Sequence, residues 1–168
     1  FGGERHLAPV PVEGIEGAVS IGGGTAHGCA VLSDGRLACW GLVPGETTSS
    51  ARGTIVRGIV DAIAVAGGQG HACVLRAGGE LVCWGQNGSR QLGVPGTHPH
   101  PTGIPPIADV VRGAAYGERT CAVGRGGAAQ CWGSAHSGSL GVSEPYRAEA
   151  PSPVLDRVEE IALGGSFV

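Results

Sequence analysis

Short apolar runs separated by glycine-bearing turns recur along the chain. Cys29 to Leu32 and Leu37 to Trp40 flank Ser33-Asp34-Gly35, and the same layout returns around Arg76-Ala77-Gly78-Gly79 and around Gly124-Arg125-Gly126-Gly127. Two runs of strand length about a turn of this kind predict a β-hairpin, with the glycine supplying the positive φ that a tight turn with a bulge requires. Side chains alternate along a strand, so Cys29, Val31, Leu37 and Cys39 share one face, and Ala30, Leu32, Ala38 and Trp40 share the other. Both faces are apolar. A hairpin of that kind must be covered on both sides, as a propeller blade is by its neighbours, whereas an isolated sheet would show a polar outer face. The third hairpin departs at Gln130, which replaces Ala38 and Val82 and predicts a partly wet second face.

The hairpins belong to a longer repeat. Ile21 to Gly41 matches Val65 to Gly85 position for position; a third copy runs from Gly113 to Gly133, and a fourth opens at Ile161. The starting positions differ by about 44, 48 and 48 residues, the period of a propeller or solenoid unit. The repeats divide the chain into the tail of a preceding unit (1–18), three blade units (19–62, 63–108 and 109–157) and the start of a fourth (158–168). The fold expected is all-β: about three complete antiparallel blades and part of another. With the fourth copy ending in mid-motif at Phe167-Val168 and no Met at the start, the chain reads as an internal piece of a longer protein in which Cys should come next. Ring closure by assembly of several copies is the alternative.

Symmetric pairing about positions 34, 78 and 126 sets Cys29 opposite Cys39, Cys73 opposite Cys83 and Cys121 opposite Cys131. A metal site is conceivable, since His27 and His71 precede two of the pairs. However, the cysteines are ten apart rather than in close C-x2-C pairs, and the third copy keeps its cysteines with Arg119 in the histidine position. Disulfides are the reading preferred here, with reduced core thiols and metal ligation as the alternatives. Each link would close a loop of ten or so residues and stabilise by about 2.7 kcal/mol in the chain-entropy model. Three such links place the protein in an oxidising compartment: secreted, periplasmic or on the cell surface.

Composition narrows the class further. Glycine contributes 33 of 168 residues, aromatic residues are only 4%, and no collagen-like period accompanies the glycine, so a turn-dense β protein is indicated. The formal charge of −3 with no basic run leaves no footprint for holding phosphates, so nucleic acid is not expected as a partner. No apolar stretch is long enough for a membrane span. Every one of the 11 basic residues is Arg, a composition suggestive of a GC-rich bacterial genome.

These features together resemble the repeat of the regulator of chromosome condensation family. The residues that carry the resemblance are the apolar-Ala-x-Gly stretch, the following His, the strand, the glycine turn and the Trp-Gly close. The continuation Gln86-Asn87-Gly88-Ser89-Arg90-Gln91-Leu92-Gly93, then Pro105, is similar to the family's Trp-Gly-x-Asn-x-x-Gly-Gln-Leu-Gly ending, with one extra residue around Ser89 and Arg90. Ser139-Leu140-Gly141 is a second instance; the first copy has Leu42-Val43-Pro44-Gly45-Glu46-Thr47-Thr48 instead. The resemblance implies a seven-bladed propeller, hence a parent of roughly 330 residues. It also implies three possible roles: nucleotide exchange on a small nuclear GTPase, which oxidising chemistry disfavours, inhibition of secreted β-lactamases, or surface adhesion.

The sequence contains no nucleophile elbow, zinc-protease motif or phosphate-binding loop, and Gly22-Gly23-Gly24 lacks the dinucleotide spacing. No catalytic residue, metal or cofactor is assigned. His27, His71, Trp40, Trp84 and Trp132 read as structural repeat positions, the histidines bonding backbone beside the glycine stretch and the tryptophans packing. Asn87-Gly88-Ser89 fits a glycosylation acceptor but reads as a turn. Blade cores agree while connectors differ, so a partner surface is expected on the connectors, where Glu46, Arg52, Arg90, His98, His100, His136, Tyr146, Arg147 and Glu149 stand. The function expected is a non-catalytic extracellular or cell-surface protein-interaction or adhesion scaffold. The alternatives are an inhibitor of a secreted enzyme, a carbohydrate-binding propeller, or a structural subunit of a surface assembly. The partner expected is a protein, with self-assembly or the remaining blades of a parent chain as further possibilities.

Overall fold

The computed structural model describes residues 8–101, 108–135 and 147–164, and its regular elements are all β. A first sheet pairs β1 (Ala18–Gly23), β2 (His27–Leu32), β3 (Leu37–Gly41) and β4 (Ser50–Ile55) in that order. The second holds β5 (Ala62–Gly67), β6 (His71–Arg76) and β7 (Leu81–Gly85). The third runs β8 (Val110–Tyr116), β9 (Arg119–Gly124), β10 (Ala129–Ser134) and β11 (Arg147–Leu155). Every pairing is antiparallel. These are three successive propeller blades.

The central hairpins take the register that symmetry about the turn requires. Cys29 faces Cys39, Cys73 faces Cys83 and Cys121 faces Cys131. The turn sets this through a hydrogen bond from the Leu32 N–H to the Arg36 carbonyl (2.8 Å). Antiparallel rungs alternate from there, which makes the cysteine pair a non-hydrogen-bonded rung, where opposed side chains come closest. All three pairs are closed as disulfides, with Cα atoms 4.0, 4.0 and 4.1 Å apart. Gly35, Gly79 and Gly127 hold φ near +80° at the turns. The glycine of each Trp-Gly close does the same (Gly41 +78°, Gly85 +109°, Gly133 +101°), turning the next N–H back onto the carbonyl of Ala26, Gly70 or Glu118.

Blades stack with one consistent polarity. The Cys29, Val31, Leu37 and Cys39 face packs with Ala72, Val74, Val82 and Trp84 of the second blade. The Cys73, Leu75, Leu81 and Cys83 face packs with Ala122 and Trp132 of the third, and Ile161 and Leu163 join that cluster. Each of these two disulfides is therefore buried in the seam toward the following blade. A repeated backbone bond pins the seams: Ala62, Val110 and Val158 each donate to the turn glycine of the blade before (Gly35, Gly79 and Gly127, all 2.9 Å). The inner strands approach so closely that a Cβ on Gly22 would meet the Val65 carbonyl, and one on Gly24 the Gly68 carbonyl. The glycine runs are packing residues of the seams.

Two expectations change here. Trp84 and Trp132 are 1% and 0% exposed, but Trp40 is half-buried, its ring edge lying over Gly28 and belonging to neither buried cluster among the described residues. The expected extra residue near Ser89 and Arg90 is also absent. Arg90 has φ +64° and stands where the repeat ending has its glycine, so the segment runs in register with Arg substituted at a left-handed position. Gln130 is half-buried and borders a cavity of about 640 Å³ with Asp109, Ala122 and Arg125.

Candidate functional site

The connector that leaves β7 folds back under the third blade and seals its seam. Asn87 organises it: the side-chain amide N–H groups donate to the carbonyls of Val94 (2.7 Å) and Gly96 (2.6 Å), and its Oδ1 accepts the Leu92 N–H (3.0 Å). Asn87 is thereby buried with its amide fully engaged, so the Asn87-Gly88-Ser89 sequence presents no free acceptor nitrogen. The Gln91 side chain caps the Ser89 N–H (2.9 Å), and Ser89 Oγ donates to Glu118 (2.9 Å). These bonds deliver Gln91 and Leu92, both 1% exposed, into the seam.

There the Gln91 carbonyl accepts two donors, the Trp132 indole N–H (2.9 Å) and the Thr120 hydroxyl (2.7 Å). His71 Nε2 lies 2.8 Å from the Thr120 oxygen. Thr120 has one hydroxyl proton, and a carbonyl can only accept, so His71 must donate from Nε2. That assigns His71 the neutral Nε2–H tautomer and leaves Nδ1 as a bare lone pair, consistent with Nδ1 having no partner. Burial holds the His71 pKa down to about 4, with the field of His27 adding to it and a backbone hydrogen bond at Arg119 opposing it. The ring partner that the structure gives His71 is thus a hydroxyl of the next blade. His27 Nε2 has no partner, because Ala72 occupies the place that Thr120 takes one blade later. Burial lowers the His27 pKa as well.

The seam between the first two blades lacks this plug. The connector from Leu42 to Val56 has no Gln-Leu-Gly ending, and an open groove of about 700 Å³ remains. Its lining includes Val43, Pro44, Ile55, Val56 and Trp84, with Glu46, Thr48, Arg57 and His100 among the polar members. The first and second connectors meet at its end, where a Cβ on Gly45 would run into the Pro99 carbonyl and Pro44 lies against Gly85.

Of the partner-binding candidates, Glu46 and His100 are exposed and come together on this groove. His98 serves the fold, its carbonyl accepting from Gly85 (2.7 Å) and its Nε2–H donating to Pro95 (2.9 Å). Arg52 lies on β4 in an exposed ion pair with Glu13 (2.9 Å), and Arg90 is half-buried beside the Gln91 plug. Arg147 and Glu149 stand on β11, Arg147 opposite Ser134, while His136 and Tyr146 lie outside the described residues. Among the described residues no group of three or more His, Cys, Asp or Glu side chains converges on a metal-sized site, and no helix is long and apolar enough to cross a membrane. Thr120, Thr48 and Arg57 were not singled out from the sequence. Thr120 carried a signal, a hydroxyl residue at the strand position that is Gly28 and Ala72 in the other blades.

Antiparallel blades stacked face to face in chain order define a β-propeller. Residues 62–91 match the model of the regulator of chromosome condensation (RCC1) repeat. Prp20p from Saccharomyces cerevisiae, described with its binding to Gsp1p and histones, superposes with a TM-score of 0.72 at 20% identity, over 85% of this chain and 39% of that one. The same yeast RCC1 (Prp20) bound to Kap60 gives 0.71 at 20% identity, over 85% and 38%. Human WBSCR16 gives 0.69 at 14% identity, over 84% and 41%. The chain spans about two fifths of the length of these structures. No curated protein sequence matches it.

Proposed function

We propose that this chain is a non-catalytic protein-interaction scaffold that works in an oxidising, extracellular compartment and engages its partner through the blade connectors. The observation that carries the reading is the contrast between blades and connectors. Three hairpins repeat one register, one disulfide and one seam bond, while the connectors between them differ, one forming a sealed plug and the other an open groove. Selection for a rigid frame with variable attachments is what a binding scaffold requires. The yeast protein of the same fold is described with protein partners, which supports a protein as the partner class here.

The compartment follows from the disulfides, which are buried, nearly identical in setting, and leave no free cysteine among the described residues. The test uses the protein taken from its native source without reductant. All six cysteines should resist alkylation until reduction, and a captured partner should be lost on Glu46→Ala/His100→Ala substitution but kept on Arg76→Ala, on the outer hairpin of the second blade. Free alkylation overturns the compartment; capture indifferent to the connectors overturns the scaffold reading.

A further inference from the structure

Consecutive seams present the same indole in two different states. At the second seam the Trp132 N–H is taken up by the Gln91 carbonyl, and Leu92 fills the space beside the ring. At the first seam Trp84 occupies the identical strand position and is 1% exposed, yet it has no acceptor among the described residues, and it lines the 700 Å³ groove. The indole N–H itself opens onto the groove, so a group that brings a carbonyl there takes the place of solvent as its acceptor without breaking a bond within the chain. The groove is also continuous with the interior: Trp84 belongs to the core cluster of Cys29, Leu37 and Val74, against which Val43 and Val56 pack.

Resting on the scaffold reading, we propose that the first seam is a docking groove for a short peptide segment of a protein partner that reproduces the Gln91-Leu92 plug in trans. The segment presents a backbone carbonyl to the Trp84 indole and, one residue on, an aliphatic side chain to Val43, Ile55 and Val56. Polar lining fits this occupant. Glu46 and Arg57 offer one charge of each sign, so the groove favours a neutral segment over a strongly charged one, and the rim can satisfy peptide groups on either side of the anchor. The two connectors touching at Gly45 and Pro99 hold the groove open without the ligand, so little ordering is needed on binding.

The test is a titration of the full disulfide-bonded chain, 15N-labelled, with a synthetic peptide copying Asn87 to Val94, followed through the assigned indole N–H resonances. The Trp84 resonance should move downfield and saturate, while that of Trp132, already bonded, stays in place. A peptide carrying Leu92→Asp should bind at least tenfold more weakly, and so should the wild-type peptide to a Thr48→Trp chain, whose ring fills the groove from an exposed position and should leave the melting temperature unchanged. A Trp84 resonance that stays fixed at millimolar peptide, or shifts equally with the Leu92→Asp peptide or in the Thr48→Trp chain, overturns the proposal. Should that happen while connector-dependent partner capture persists, the groove assignment falls and the scaffold reading stands.

Discussion

Mild acid should loosen the seam between the second and third blades, and His71 should be the group responsible. In the folded chain its neutral ring donates from Nε2 to Thr120, and protonation would place a second N–H at Nδ1 with nothing to receive it. The folded pKa is about 4, against 6.5 for an unperturbed ring. With the folded value depressed, the unfolded chain takes up the proton first as pH falls. Stability is therefore full above pH 6.5, is lost progressively below it, and the loss levels off once pH passes below about 4. Working the linkage through gives a loss of about 2 kcal/mol between pH 7.5 and 5, and about 3 kcal/mol by pH 4. For a chain of this size 2 kcal/mol corresponds to a fall in melting temperature of about 4–8 °C. The assay is thermal unfolding with disulfides intact at pH 7.5 and 5, for the wild type and for His71→Gln, which keeps an amide donor toward Thr120 but cannot titrate. The variant starts lower at pH 7.5 but should lose about 2 kcal/mol less on acidification, retaining only the smaller loss of the same sign from His27, whose pKa burial also lowers. An acid loss identical in wild type and His71→Gln would refute the tautomer assignment and the seam chemistry built on it.

Other substitutions test separate steps. Thr120→Val keeps the shape of the side chain but strips the hydroxyl that joins His71 to Gln91, leaving a buried Nε2–H unpaired; denaturant titration should show a loss of about 2–3 kcal/mol. Arg90→Gly relieves the left-handed backbone at φ +64° and restores the repeat ending, with a net gain of about 0.5–1 kcal/mol in the same titration after the greater freedom of an unfolded glycine is subtracted. Gly22→Ala drives a methyl group into the Val65 backbone and should cost about 2–3 kcal/mol, whereas Gly78→Ala, with nothing within 4 Å, should be neutral or gain about 0.5 kcal/mol; equal effects at the two sites would contradict the close seam.

Hairpins and their facing cysteines were legible because they depend on local symmetry. Once the turn glycine fixes the centre of a hairpin, every opposed pair follows, and the apolar character of both faces demands neighbours. What was not legible depends on contacts between repeats. That Trp40 is half-buried while Trp84 and Trp132 are buried cannot be read from three identical Trp-Gly pairs, because burial is decided by the adjoining blade and connector. The sequence assigned Gly22-Gly23-Gly24 no role beyond lacking the dinucleotide spacing, but Gly22 and Gly24 are set by backbone approaching backbone across a seam, which leaves no trace within one repeat. Arg90 was misread as an insertion because a non-glycine residue at a left-handed position breaks the motif without lengthening it.

The same distinction bears on how such a chain acquires function. A blade is constrained on both faces, by its own disulfide on one side and by the preceding blade's on the other, so a substitution in β6 or β7 disturbs two seams at once. A connector is constrained only by the single seam it covers. The second connector has spent its polar groups on sealing: Asn87 orders the loop, Gln91 bridges Trp132 and Thr120, and Leu92 fills the gap. The first, about four residues shorter from one repeat to the next, reaches the same strand position without a plug and leaves Trp84 beneath a groove. Loss of a sealing motif at one seam is tolerated because the disulfide and the Gly35–Ala62 bond still hold the blades together. A repeat fold can thus open one seam to solvent while its neighbours stay shut, and the open seam carries a ready-made donor and an apolar wall whose preferred occupant is specified by the closed seam beside it.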